Sequence, residues 1–279
     1  MSWLDSYTHR ALLEVALVGA VCGAIGVHVV LRRMGFFTMA MTHATFPGVV
    51  LAAVAGIDIY LGGAAMGVLV CLCVLAVSRR RDQGATTATG IVLAAGFALG
   101  VALLSASNGF SRDLEAFMTG SIVTVTGHDL AVTAGVGALV LLVLAALHKE
   151  LVYGAFDPDG QRAAGYPVTA LDLLVLVLIE AVIIVTAPAI GVMLAMALIV
   201  GPAATARLWT DRIGLTVLLS VALGTGCCAL GLVLSTHWEL AAGGTITLVV
   251  AVVFLISLVL SPHSGLLGQP LRRRAMPTG

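Results

Sequence analysis

Nine stretches of this sequence are long and apolar enough to cross a bilayer as helices, and this leaves little freedom in the fold. A spanning helix needs about 20 mostly apolar residues. The stretches are Ala11–Leu31, Thr38–Ile57, Leu61–Val77, Ala88–Ala106, His128–Leu147, Ala170–Ala187, Ile190–Leu208, Gly214–Leu234 and Thr245–Leu260. Backbone polar groups find no water at that depth, so each stretch must satisfy them internally, as a helix does. Composition agrees: 60% of the 279 residues are apolar and 10% charged, against about 25% charged in soluble domains. No polar block is long enough for a separate soluble domain. The fold class that follows is all-α and polytopic, with about eight to nine transmembrane helices. Residues 1–279 form one transmembrane domain. No basic leader with a small-residue cleavage site precedes Leu12, so the first stretch reads as a retained helix.

Breaks between stretches carry turn residues. Ala187-Pro188 separates two spans, and Gly62-Gly63 and Gly243-Gly244 open two others. Asp113–Gly127 is semi-polar and short, which suits a re-entrant or surface half-helix buried in protein. Orientation follows from the basic residues. With nine spans and the N-terminus outside, twelve of the fourteen Lys and Arg side chains face the cytoplasm, as the positive-inside rule requires. The C-terminus, with a tail of residues 262–279, is then cytoplasmic. Net charge is zero, and nothing points to nucleic acid; the expected surroundings are membrane lipid. The five cysteines lie inside apolar runs and read as small packing residues.

The sequence has no phosphate-binding loop, no zinc-protease motif and no nucleophile elbow. It reads as a conduit and not as an enzyme. Polar residues at membrane depth then become the informative ones. Met39, His43 and Pro47 are spaced four apart and share a helix face. Imidazole suits zinc, copper, iron and nickel, and a thioether is a softer donor. A histidine bonded to a neighbouring helix beside packing methionines fits the same residues. Glu180 sits mid-span, where a charge costs about 2.5–3.5 kcal/mol. It must face water, pair with a group such as His43 or His28, or be protonated and bond between helices. Pro47, Pro188 and Pro202 mark kinks. On the cytoplasmic side, Asp157 reads as an N-cap, Pro158 as the first helical residue and Gly165 as a left-handed terminator. A short capped helix there fits either a docking element or an ordinary loop.

In these places the sequence resembles the permease subunits of metal-type ABC importers (zinc, manganese or iron). The matching blocks are Leu31-Arg32-Arg33-Met34 with Thr42–Val49, then Gly120-Ser121-Ile122, Phe156–Gly165, Val200–Arg207 and the closing Gly243–Ile246 with Leu260–Leu266. They keep the family's order over nearly the whole chain. The resemblance implies a homodimer in the bacterial plasma membrane. A cytoplasmic ATP-binding subunit would grip a coupling helix within residues 156–166, involving Asp157, Pro158, Arg162, Ala163 and Gly165. An extracytoplasmic solute-binding protein would deliver a transition-metal ion, and no cofactor would be held permanently. Members of that family use an acidic residue and a histidine one turn apart; here the pair is Met39 and His43. The ion is then softer, or its carboxylate comes from elsewhere, with Glu180 as the candidate, or the cargo is a metal chelate. A proton-coupled secondary transporter using Glu180 is the competing class.

Overall fold

The computed structural model describes residues 6–78, 85–106, 120, 122 and 125–261. Arg79–Arg81, most of Asp113–Gly127, Ser121 and the tail 262–279 lie outside these. The described residues form helices and no strands: α1 (Ser6–Leu31), α2 (Gly35–Ala44), α3 (Phe46–Ala55), α4 (Ile59–Ser78), α5 (Ala85–Ala106), α6 (Gly127–Ala146), α7 (His148–Phe156), α8 (Pro158–Ala163), α9 (Val168–Ile190), α10 (Val192–Trp209), α11 (Ile213–Trp238) and α12 (Ala242–Leu260).

Among the described residues, seven segments are long and apolar enough to cross a membrane, α2 and α3 together counting as one. Two shorter apolar helices, Thr89–Leu103 and Leu194–Trp209, complete the nine. In the α1 span 72% of residues are buried and in α9 67%, against 22% in α6 and α12. Helices α1 and α9 therefore form the inside of the bundle, and α6 and α12 turn apolar faces outward. A greasy exterior has no place in water but is what lipid or a second copy covers.

Helix packing within lipid rests on close contact. A Cβ added at Gly19 would come within 2.7 Å of Gly224 O, and one at Gly23 within 2.6 Å of Ser220 O. The absent side chains let α1 and α11 touch backbone to backbone, and Ser220 Oγ donates to Gly23 O at 2.6 Å. Gly23→Leu is expected to lower stability by about 1–3 kcal/mol through overpacking. Thermal unfolding in detergent measures this, with Gly214→Ala, where a Cβ meets nothing, as the neutral control.

Three boundaries differ from the sequence reading. The second span is two helices, interrupted at Thr45. Pro47 has no N–H for the His43 carbonyl and its ring crowds that oxygen, so it starts α3 instead of bending one continuous helix. Ala187-Pro188 does not separate two spans: Pro188 lies inside α9, and the chain breaks at Gly191, whose φ is +86°. Gly62-Gly63 lie inside α4, which opens at Ile59, because Gly62 serves a close approach to Gly48. Pro202 lies inside α10.

Candidate functional site

Two regions hold the residues singled out above, and the bundle keeps them apart. The first is the α2–α3 break with the helices around it. Thr38, Thr42 and Thr45 turn their hydroxyls onto Met34 O (3.1 Å), Met39 O (2.7 Å) and Met41 O (2.9 Å). Such back-bonding satisfies a hydroxyl within an apolar span. One face of α2 carries Met39, 39% exposed, and His43, half-buried with its ring edge-on to Phe97 of α5 at 5.7 Å and 81°. Glycines of α5 permit this packing: a Cβ at Gly96 would press on Ala44, and one at Gly100 on Phe46.

Glu180 lies on the other side of α2. It is 2% exposed, its carboxyl rests on Gly67 of α4, and the Thr45 hydroxyl interacts with it. Neither carboxyl oxygen has a hydrogen bond of normal geometry. No contact between Glu180 and His43 is found among the described residues. His28, the other suggested partner, instead meets His148 edge-on at 6.4 Å. Among the described residues no cluster of three or more His, Cys, Asp or Glu side chains is arranged to hold a metal.

The second region is the short helix α8. Asp157 caps it, its Oδ1 accepting from Gly160 N at 2.8 Å, and Pro158 occupies the first turn. At the far end Gly165 has φ +84°. Tyr166 N donates to Gln161 O at 3.3 Å and Gly165 N to Arg162 O at 3.1 Å. These two bonds make a Schellman motif, which needs a left-handed residue at Gly165. Gln161, 1% exposed, pins α8 to α7 through Nε2 to Glu150 O at 2.8 Å. Arg162 pairs with Asp159 at 3.0 Å, but both are exposed, so the pair adds little stability. Phe156, Tyr153 and Tyr166 are exposed around the helix, an aromatic rim of the kind that anchors partners.

Beside α8 lies a polar cavity of ≈ 680 Å³ lined by Arg32, Arg33, Arg207, Asp172, Phe156 and Pro158 among others. Arg32 ties its walls together, bonding Asp172 Oδ1 at 2.6 Å and Leu151 O at 3.3 Å. Gln161→Ala removes this bond between α8 and α7, a loss of about 0.5–1.5 kcal/mol. It is expected to speed amide exchange in residues 158–163 while leaving the spans unchanged, as hydrogen-exchange mass spectrometry would record.

The sequence reading missed Thr45, Tyr60, Asp129 and Glu14, whose contacts appear below. Glu14 lies in the first span, so the criterion that flagged Glu180 applies to it equally. Thr126 three residues before Asp129 is a capping-box signal. Nothing local marks Tyr60.

The sequence model of the ABC 3 transport family matches residues 5–261. The chain is 33% identical over 262 residues to the manganese transport system membrane protein MntC of Halalkalibacterium halodurans, covering 94% of this chain and 90% of that one. It is 34% identical over 256 residues to the manganese import system permease protein ScaB of Streptococcus gordonii, covering 92% of each. Among solved structures, PsaBC from Streptococcus pneumoniae in complex with Fab superposes with a TM-score of 0.87 at 31% identity, over 97% of this chain and 96% of that one. This chain belongs to the ABC 3 transport family, the metal-type ABC transporter permeases.

Proposed function

We propose that this chain is the membrane-spanning permease subunit of an ATP-driven importer for a divalent transition-metal ion: zinc, manganese or iron. The observation that carries the reading is the end-to-end similarity, at 33% and 34% identity, to proteins named for manganese transport and import. The chain works as a homodimer in the bacterial plasma membrane, with its C-terminus in the cytoplasm. ATP hydrolysis resides on a separate cytoplasmic subunit, and an extracytoplasmic solute-binding protein hands over the ion.

The geometry supports a division of labour. The capped helix α8, with Asp157, Pro158, Arg162, Ala163 and Gly165, is the lever for the ATP-binding subunit. Its exposed Phe156 and Tyr166 and the basic cavity beside it offer an aromatic and cationic grip. Motion of α8 passes through Gln161 to α7, and through Arg32 to α1 and α9. The Met39–His43 face of α2 lines the ion's route. Imidazole and thioether together make a softer pair than carboxylate and imidazole, and Glu180 is the buried carboxyl on the opposite side of α2. Uptake of radiolabelled manganese into proteoliposomes, competed with zinc and iron, tests the cargo. Strong competition by one of these ions supports the reading; transport of a chelate with no competition from bare ions opposes it.

A further inference from the structure

A column of oxygen atoms runs between the α2–α3 break, α4 and α9, and the metal route proposed above does not use it. The column begins at the end of the bundle remote from α8. There Tyr60, in the first turn of α4, donates its hydroxyl to Asp129 Oδ1 at 2.7 Å. Asp129 is fixed in turn by Thr126, whose N and Oγ1 donate to Oδ2 at 2.9 and 2.7 Å. Glu14 of α1 is fully buried beside this pair. Its Oε1 accepts from Thr133 at 2.7 Å, and its Oε2 has no partner. Asp58 and the His128 ring, 6.3 Å from the Tyr60 ring, are the other titratable groups facing Tyr60.

Tyr60 also lines a small, partly open cavity of ≈ 10 Å³, together with Thr42, Thr45, Ile184 and Pro188. About 10–15 Å³ with two or more polar partners is what one water needs. The lining residues carry three hydroxyl oxygens and the Ile184 carbonyl, which Pro188 leaves without its helical N–H. Ile183, Ile184 and Ala187 of the lining lie three, four and seven residues past Glu180. The cavity therefore sits on the Glu180 face of α9, one turn further along. Thr45 joins the two, since it lines the cavity and interacts with the Glu180 carboxyl. Cys71, one turn from Gly67 on α4, is a further titratable neighbour of Glu180. A lone carboxylate buried there is costly, and a neutral acid far less so.

We propose that Glu180 is a proton-exchanging carboxyl, served through a one-water passage by Thr45, Tyr60 and Asp129. The Thr45 hydroxyl first turns away from Met41 O, to which it donates at 2.9 Å; Glu180 then gives its proton to the Thr45 oxygen, which passes its own to the water. The water passes one to the Tyr60 oxygen, and Tyr60 releases its own to Asp129. Each intermediate gains one proton and loses one, so the net change is a carboxylate at Glu180 and an acid at Asp129; the return runs in reverse. The passage lets Glu180 change its charge while the helices stay closed. The inference holds whichever ion is carried, because the end of the bundle is defined by the fold alone.

Infrared spectroscopy of the purified full-length chain in lipid nanodiscs tests it. The carbonyl stretch of a protonated carboxyl is expected in the wild type, diminished in Glu180→Gln and separate from the part lost in Glu14→Gln. On transfer to D2O the Glu180 band should shift, and the shift should slow about tenfold or more in Tyr60→Phe or Thr45→Ala, since each removes one link of the relay. Slowing in either variant supports the passage. No protonated band lost in Glu180→Gln, or unchanged exchange in both relay variants, overturns it.

Discussion

His43→Ala is expected to cut metal uptake by about a hundredfold, the upper end of what disturbing a metal's ligand sphere costs. On the exposed face of α2, His43 and Met39 are the two donors one turn apart, and the described residues offer no acidic or thiol cluster to take over. The imidazole also packs edge-on against Phe97, a contact worth about 0.5–1.5 kcal/mol. His43→Phe therefore serves as the partner variant, keeping the ring contact without the nitrogen donors. Uptake lost in both variants, with thermal unfolding close to wild type in His43→Phe, assigns the loss to ligation. Undiminished uptake in either variant places the ion route elsewhere. Met39→Asp is the converse experiment: a carboxylate adds charge and a hard oxygen, and should raise the preference for manganese over softer ions.

The second large effect belongs to helix α8, the proposed lever. Helix α8 has six residues, far below the length at which a helix holds itself together in water. Its caps and the Gln161 anchor hold it. Gly165→Val puts a β-branched residue at φ +84°, with strain of about 1–3 kcal/mol. Asp157→Ala removes the N-cap, worth about 1 kcal/mol. Together they are expected to melt α8 and bring ATP-driven uptake to background, while the spans, which share none of these contacts, keep their thermal stability. Co-purification of the ATP-binding subunit should fall in parallel. Full uptake by the double variant would mean that α8 is not the lever.

Much of this was legible in the sequence because the signals are local. A bilayer sets a length that hydropathy reads directly, so all nine apolar segments were visible, including α5 and α10. Asp157, Pro158 and Gly165 name the two ends of α8 by backbone chemistry alone. Signals failed where a neighbour decides the outcome. Pro188 looked like a boundary, yet α9 continues past it to Gly191, because a proline close to a helix end leaves few later bonds to lose. Gly62 looked like a turn, yet it exists to meet Gly48. The setting of Glu180 depends on Gly67 and Thr45, two residues from two other segments, and no spacing within one helix could announce it. The same holds for the separation of Glu180 from His43. Thr45 is only two positions beyond His43, and that small step turns them to opposite sides of α2.

The account rests on a passive bundle worked by an external motor. The direct measurement is metal uptake into proteoliposomes holding the purified chain with and without its ATP-binding subunit, with ATP supplied on the α8 side. Uptake that needs both the subunit and ATP hydrolysis, and ignores an imposed proton gradient, is the predicted result. Uptake by the chain alone, following the proton gradient, would contradict it.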